Sequence, residues 1–335
     1  MNGEAMTNGD LFVFEPSARR ANFLDQKMRR DLAGSLRYIS HQANGRLALP
    51  EESFQDFLRR LESHPVSPLA FSFYCDMVLA IEENNVAEAS RLLNELIRFP
   101  AHSGETIVSE LGDPAHDSVA QRFVRFIDTD PTVRFDVFAP SRDAADNCHA
   151  LIRDAFALMD AGDPELAAEI RALLREIVLA AGTEEPKAMT FDGASSFMLW
   201  GGIILNANRR DSKLAMVQML AHESTHNLLF GLAADVPLVE NADEELFSSP
   251  LRLDPRPMDG IYHATFVTAR MHRAVRQLLE SGVLPAAMLE IARAELAENR
   301  RLFDKGIKVV REHGKLTSLG ETLMLGAENY MASAN

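Results

Sequence analysis

Cysteine is scarce in this chain: there are two in 335 residues, Cys75 and Cys148. Two thiols cannot build the disulfide framework that staples small secreted domains, and neither lies in a CxxC pair of the kind that holds zinc. A reduced, cytoplasmic setting is expected, with both cysteines as ordinary buried residues. Positive charge is also short. Thirty-four Lys and Arg against 49 Asp and Glu leave a net charge of -15, which repels a phosphate backbone and argues against a nucleic-acid partner. No uninterrupted apolar run approaches the ~18 residues of a membrane span, so no membrane partner is expected. The opening MNGEAMTNGDLFVF lacks the basic start and long apolar stretch of a secretory signal. Internal repeats and low-complexity tracts are missing too. What remains is globular: 47% hydrophobic and 25% charged, long enough for one large or two ordinary domains around a sizeable core.

Apolar periodicity predicts helices over 20–40, 51–63, 69–82 and 86–99, with Pro65, Pro68 and Pro100 as punctuation. The stretch 100–118 reads as loop, 118–128 as helix and 133–140 as irregular or strand-like. Helices are expected at 142–160 and 164–181, divided by Gly162 and Pro164. The texture then changes. AMTFDGASSFMLWGGIILNAN (188–208) carries β-branched and aromatic residues between glycines and predicts two or three short strands. Such strands either offer an edge to an extended peptide or merely cover a helix. A polar, acidic, proline-rich connection at 232–258 precedes helices at 259–281, 285–304 and 317–333. The expected fold is mainly α with a small β-sheet. It comprises a helical N-terminal portion, 1–185, and a metal-site portion, 186–335, built on a zincin-like HExxH helix.

That helix carries His222-Glu223-Ser224-Thr225-His226. Two histidines four residues apart lie one turn apart on nearly the same helical face, so both imidazoles can reach one cation with a carboxylate beside them. Asp211 or Ser212 is the expected N-cap and Gly231 the expected stop. Leu214, Val217, Leu220, Ala221, Leu228 and Leu229 form an apolar face between them, fixing the pair on a packed element.

A working site needs a third protein ligand and open positions. Two residues compete for that place. Glu245 is separated from His226 by eighteen residues, a spacing like that of some zinc aminopeptidases, although Glu240, Asp243 and Glu244 are equally available. His263 sits in RPMDGIYHATFVTARM, in the first turns of the helix opened by Asp259 and Gly260. Arg252 and Arg256 lie in the proline-stiffened SPLRLDPRPMDG, and Arg270 follows His263 by seven residues on the same helical face. Guanidinium groups suit bidentate capture of a carboxylate. They equally suit ion pairs with Asp254 or Asp259 that merely organise the loop.

Taken together, HESTHNLLFGL followed by SPLRLDPRPMDGIYHATFVTARM resembles the HExxH-motif peptide-modification family. Its members look like iron(II)- and 2-oxoglutarate-dependent peptide β-hydroxylases of ribosomal peptide biosynthesis. The likeness covers residues 220–280, and the pairing of an HExxH helix with a following S-P-x-R-x-D-P-R-P-x-x-G-x-x-H run is much more specific than HExxH alone. The resemblance implies His222, His226 and His263 as iron ligands and Glu223 as a nearby or catalytic carboxylate. It implies Arg252, Arg256 or Arg270 as holders of the 2-oxoglutarate carboxylates. The implied partner is a peptide substrate, with or without a leader segment read by the N-terminal helices.

Two other readings use the same residues. In a zinc metallopeptidase, Glu223 would act as general base on a zinc-bound water. In a non-catalytic binding module the metal would only staple the fold; such sites fill all four positions with protein ligands and commonly use Cys, and neither cysteine lies near this motif.

Overall fold

The computed structural model describes residues 6–43, 45–112, 117–127, 137–182, 191–209, 211–249 and 255–334. It is mainly helical with a small sheet. In chain order the elements are α1 (Asn8–Leu11), α2 (Ala18–Ala43), α3 (Glu51–Ser63), α4 (Leu69–Glu82), α5 (Val86–Leu96), β1 (Ile107–Glu110), α6 (Asp117–Ile127) and β2 (Val137–Phe138). Then come α7 (Arg142–Gly162), α8 (Pro164–Leu173), β3 (Glu176–Gly182), β4 (Gly193–Ser195) and β5 (Gly202–Asn206). The remainder is α9 (Lys213–Leu232), β6 (Leu246–Phe247), β7 (Arg256–Pro257), α10 (Met258–Glu280), α11 (Ala286–His313) and α12 (Ser318–Ser333).

Two compact units are drawn from non-contiguous segments. One comprises Met1–Ala21, Ala150–Ile170 and Asp211–Asn335; the other comprises Asn22–His149 and Arg171–Arg210. The boundary expected near residue 185 lies outside the described residues.

The sheet belongs to the second unit. Its order is β1-β3-β5-β4, with β2 also pairing β3. β1 and β5 run parallel to β3, and β4 runs antiparallel to β5. Val178 of β3 stands opposite Ile204 of β5, and both enter an apolar cluster with Leu69, Phe123, Phe191 and Leu199. The expected helix over 164–181 is corrected here: it ends at Leu173, and Glu176–Gly182 is the central strand. A parallel strand covered on both faces reads as a continuous apolar run rather than an alternation, so EIVLAAG carries no period of two. The segment 100–118, expected as loop, contributes β1. Of the strand-like 133–140, Val137–Phe138 form β2 and 133–136 lie outside the described residues.

The first unit holds α9 to α12. α9 starts where the Ser212 hydroxyl accepts the Ala215 N–H, one of the two N-caps expected from sequence, the other being Asp211. It runs through Gly231 and closes at Leu232. Fifteen of the twenty residues of α9 are buried, polar ones included. Two of these polar side chains are met locally or across the packing: Thr225 donates to the Ala221 carbonyl, and Asn299 of α11 donates to Gln218 at 2.9 Å. α10 crosses α11 closely enough that a Cβ on Gly306 would lie 2.3 Å from the Thr265 hydroxyl. Only glycine permits that approach. Tyr262 secures α10 to α12 through a 2.8 Å hydrogen bond to the Gly320 carbonyl.

Candidate metal centre

The rigidity of α9 decides where its two histidines point. His222 and His226, both partly buried, leave the helix one turn apart, and their Nε2 atoms approach to 3.2 Å. Two imidazole nitrogens bound to one ion at about 2.0–2.1 Å must themselves stand about 3.0–3.4 Å apart. The observed spacing falls in that interval.

The third imidazole comes from α10. His263 is buried, and its Nδ1 lies 3.2 Å from His226 Nδ1, with the two rings nearly parallel at 16° and 5.5 Å between centroids. Its Nε2 stands 3.8 Å from Asp259 Oδ1. Phe230, one turn beyond His226, packs on both rings at 6.3 and 5.6 Å. His263 therefore meets the nitrogen of His226 opposite the one that faces His222. Among the described residues no three His, Cys, Asp or Glu side chains are arranged to hold an ion as they stand. The three imidazoles are neighbours, and a shared cation requires one ring to turn.

Electrostatics favour ligand-competent rings. Burial pushes the His226 pKa well below its ordinary value, and the neighbouring His222 and His263 push it the same way. Burial also lowers His263, against the opposing pull of Asp259. Metal ligation uses neutral imidazole, so a site that resists protonation is already in the needed state. Glu223, between the histidines in sequence, is 2% exposed. His222 turns its other nitrogen, Nδ1, to the Met271 sulfur at 3.3 Å.

The remaining expected residues scatter. Glu245, the competing third ligand, is not brought to the histidines: it pairs with the Lys315 ammonium at 3.0 Å and accepts from Asn241 at 3.2 Å. Glu240, Asp243 and Glu244 are exposed. Arg252 lies outside the described residues. Arg256 is half-buried on β7, directly before the helix that carries His263. Arg270, expected as a carboxylate anchor, instead finds an internal carboxylate. Its Nη1 donates to the Phe14 carbonyl at 2.7 Å and its Nη2 pairs with Glu169. Glu169 also pairs with Arg20 at 2.6 Å, and all three side chains are buried. Burial raises the Glu169 pKa, but Arg270 and Arg20 outweigh it and hold the carboxyl below its ordinary value.

Sequence reasoning missed Phe230, Met271 and Glu169. Phe230 carried a usable signal, since a residue four after His226 shares its face. Met271 and Glu169 carried none, because their partners lie 49 and 101 residues away. Comparison of the chain with protein-family models and with curated proteins finds no match.

Proposed function

We propose that this protein is an iron(II)- and 2-oxoglutarate-dependent hydroxylase acting on the β-carbon of a residue in a ribosomally synthesised peptide. The observation that carries the reading is a row of three imidazoles, His222 beside His226 and His226 beside His263, with the first two holding their Nε2 atoms at the separation a common ion requires. Iron held there, with 2-oxoglutarate and dioxygen as co-substrates, supplies oxidative decarboxylation coupled to hydroxylation of a C–H bond. His222, His226 and His263 would hold the ion. Glu223, buried and next to His222 in the chain, would offset the added positive charge and could take a proton. Arg256 is the described guanidinium best placed in sequence for a 2-oxoglutarate carboxylate, because it adjoins the start of α10, and Arg252 shares its loop. The commitment of Arg270 to Glu169 takes it out of that role. The acidic net charge and the few cysteines support a cytoplasmic setting without nucleic acid.

The zinc peptidase reading shares Glu223 but loses its separate support, since Glu245 pairs with Lys315. Metal analysis followed by peptide assay separates the two. Iron with peptide-dependent succinate release and a peptide heavier by one oxygen atom supports the hydroxylase; zinc with cleaved peptide supports the peptidase. His226→Ala should abolish turnover while the chain stays folded, and near-full activity of that variant rules the site out. Arg256→Ala should weaken 2-oxoglutarate binding to the iron-loaded protein about 10–100-fold, the worth of a charge-assisted hydrogen bond.

A further inference from the structure

We infer that Met271 is the positioning partner of His222, its thioether accepting the Nδ1–H and thereby leaving Nε2 bare for the cation. The inference rests on the metal-site reading above and adds to it a residue outside the HExxH motif and its expected ligands.

A thioether sulfur carries no hydrogen and can only accept. The 3.3 Å approach of His222 Nδ1 to Met271 Sδ is therefore a hydrogen bond only when Nδ1 carries the proton. A neutral imidazole has one N–H, so Nε2 then bears the lone pair. Nε2 is the atom that stands 3.2 Å from His226 Nε2. Both ends of the ring are thus accounted for by one tautomer. α10 serves the pair twice along its length, bringing His263 to His226 and, eight residues on, Met271 to His222.

The acceptor's chemistry matters as well. Metal-bound histidines usually donate their second N–H to a carboxylate or carbonyl, which fixes the ring and raises its basicity. A thioether fixes the ring with little charge donation, so His222 is oriented without becoming a stronger base. The bland alternative is that Met271 only fills space between two helices, as methionine often does. The two differ in what a same-sized apolar side chain does to the site.

The test uses the full-length chain stripped of metal, with Met271→Leu and Met271→Gln beside the parent. Zinc(II) affinity is read by competition with a chelator, and the His222 tautomer by nitrogen NMR of histidine-labelled protein. The parent should show the Nδ1–H form before metal is added. Met271→Leu should unfold at the parent's temperature, lose that tautomer preference and bind zinc(II) about tenfold more weakly, the lower end for an outer-shell partner. Met271→Gln, whose carbonyl oxygen accepts, should recover affinity to within about threefold of the parent. Parent-like affinity in Met271→Leu, equal weakening in both variants, or an Nε2–H tautomer in the parent overturns the inference. If the parent binds no divalent metal, the hydroxylase reading falls, and the NMR result alone decides the role of Met271.

Discussion

A buried imidazole can serve without touching a ligand, and His272 shows how that use differs from the one proposed for His226. His272 is 4% exposed, lies 2.9 Å through Nδ1 from the Tyr330 hydroxyl, and is held down to about 4 by burial, with Arg300 and Arg276 adding to the effect. In the unfolded chain the same ring takes up a proton below about pH 6.5. Between those values the unfolded state binds more protons than the folded one, so stability falls as pH falls through that window. At about 1.4 kcal/mol per pH unit, the loss from this residue is on the order of 3 kcal/mol. His272→Gln removes the titration while keeping a group that can bond Tyr330. Its unfolding free energy in urea, followed from neutral pH down to about 4, should decline less steeply than the parent's. Parallel declines would mean that His272 takes up its proton without unfolding.

Elements fix these residues, and α10 is the one under greatest constraint. It presents His263 and Met271 to α9 and packs Thr265 against Gly306 of α11. A Cβ at 306 would meet the Thr265 hydroxyl at 2.3 Å and its Cβ at 3.1 Å, so the helices must part or Thr265 must turn. Gly306→Ala should cost about 1–3 kcal/mol, read by chemical denaturation, and Thr265→Ala in the same chain should recover part of it. An unchanged midpoint would show that Thr265 turns aside at little cost. The same scale explains what could be read from sequence. α3 and α4 lie on their predicted bounds because proline and apolar periodicity mark them locally. The His222–His226 pairing was legible because a four-residue spacing is itself geometry. β3 was not, because burial on both faces erases its alternation and its Leu and Ala favour helix. The approach of His263 to His226 across 37 residues depends on how α10 packs on α9, which no spacing encodes.

In the whole molecule, the unit carrying the histidines is assembled from three separate stretches of chain, and its stability must come from what joins them. Glu169, from the middle stretch, accepts the Ser17 N–H at 2.7 Å and pairs with Arg20 of the first stretch and Arg270 of the last. Arg273 repeats the pattern with Asp163 and Glu15. Buried ion pairs gain little over a well-packed apolar substitute, but removing one partner leaves uncompensated charge. Glu169→Ala strands two buried guanidiniums. It should cost about 3–5 kcal/mol, a large share of the ~5–15 kcal/mol that holds a domain folded. Glu169→Gln, which keeps the shape and one of the two accepting oxygens but not the charge, should cost less. Urea denaturation of the three proteins decides the matter: a loss below about 1 kcal/mol in Glu169→Ala would mean that water reaches the guanidiniums, as at a surface pair. A full loss would make Glu169 the reason Arg270 is unavailable to a substrate carboxylate, so that the helix bearing His263 draws its stability from a guanidinium the sequence alone would have assigned to binding.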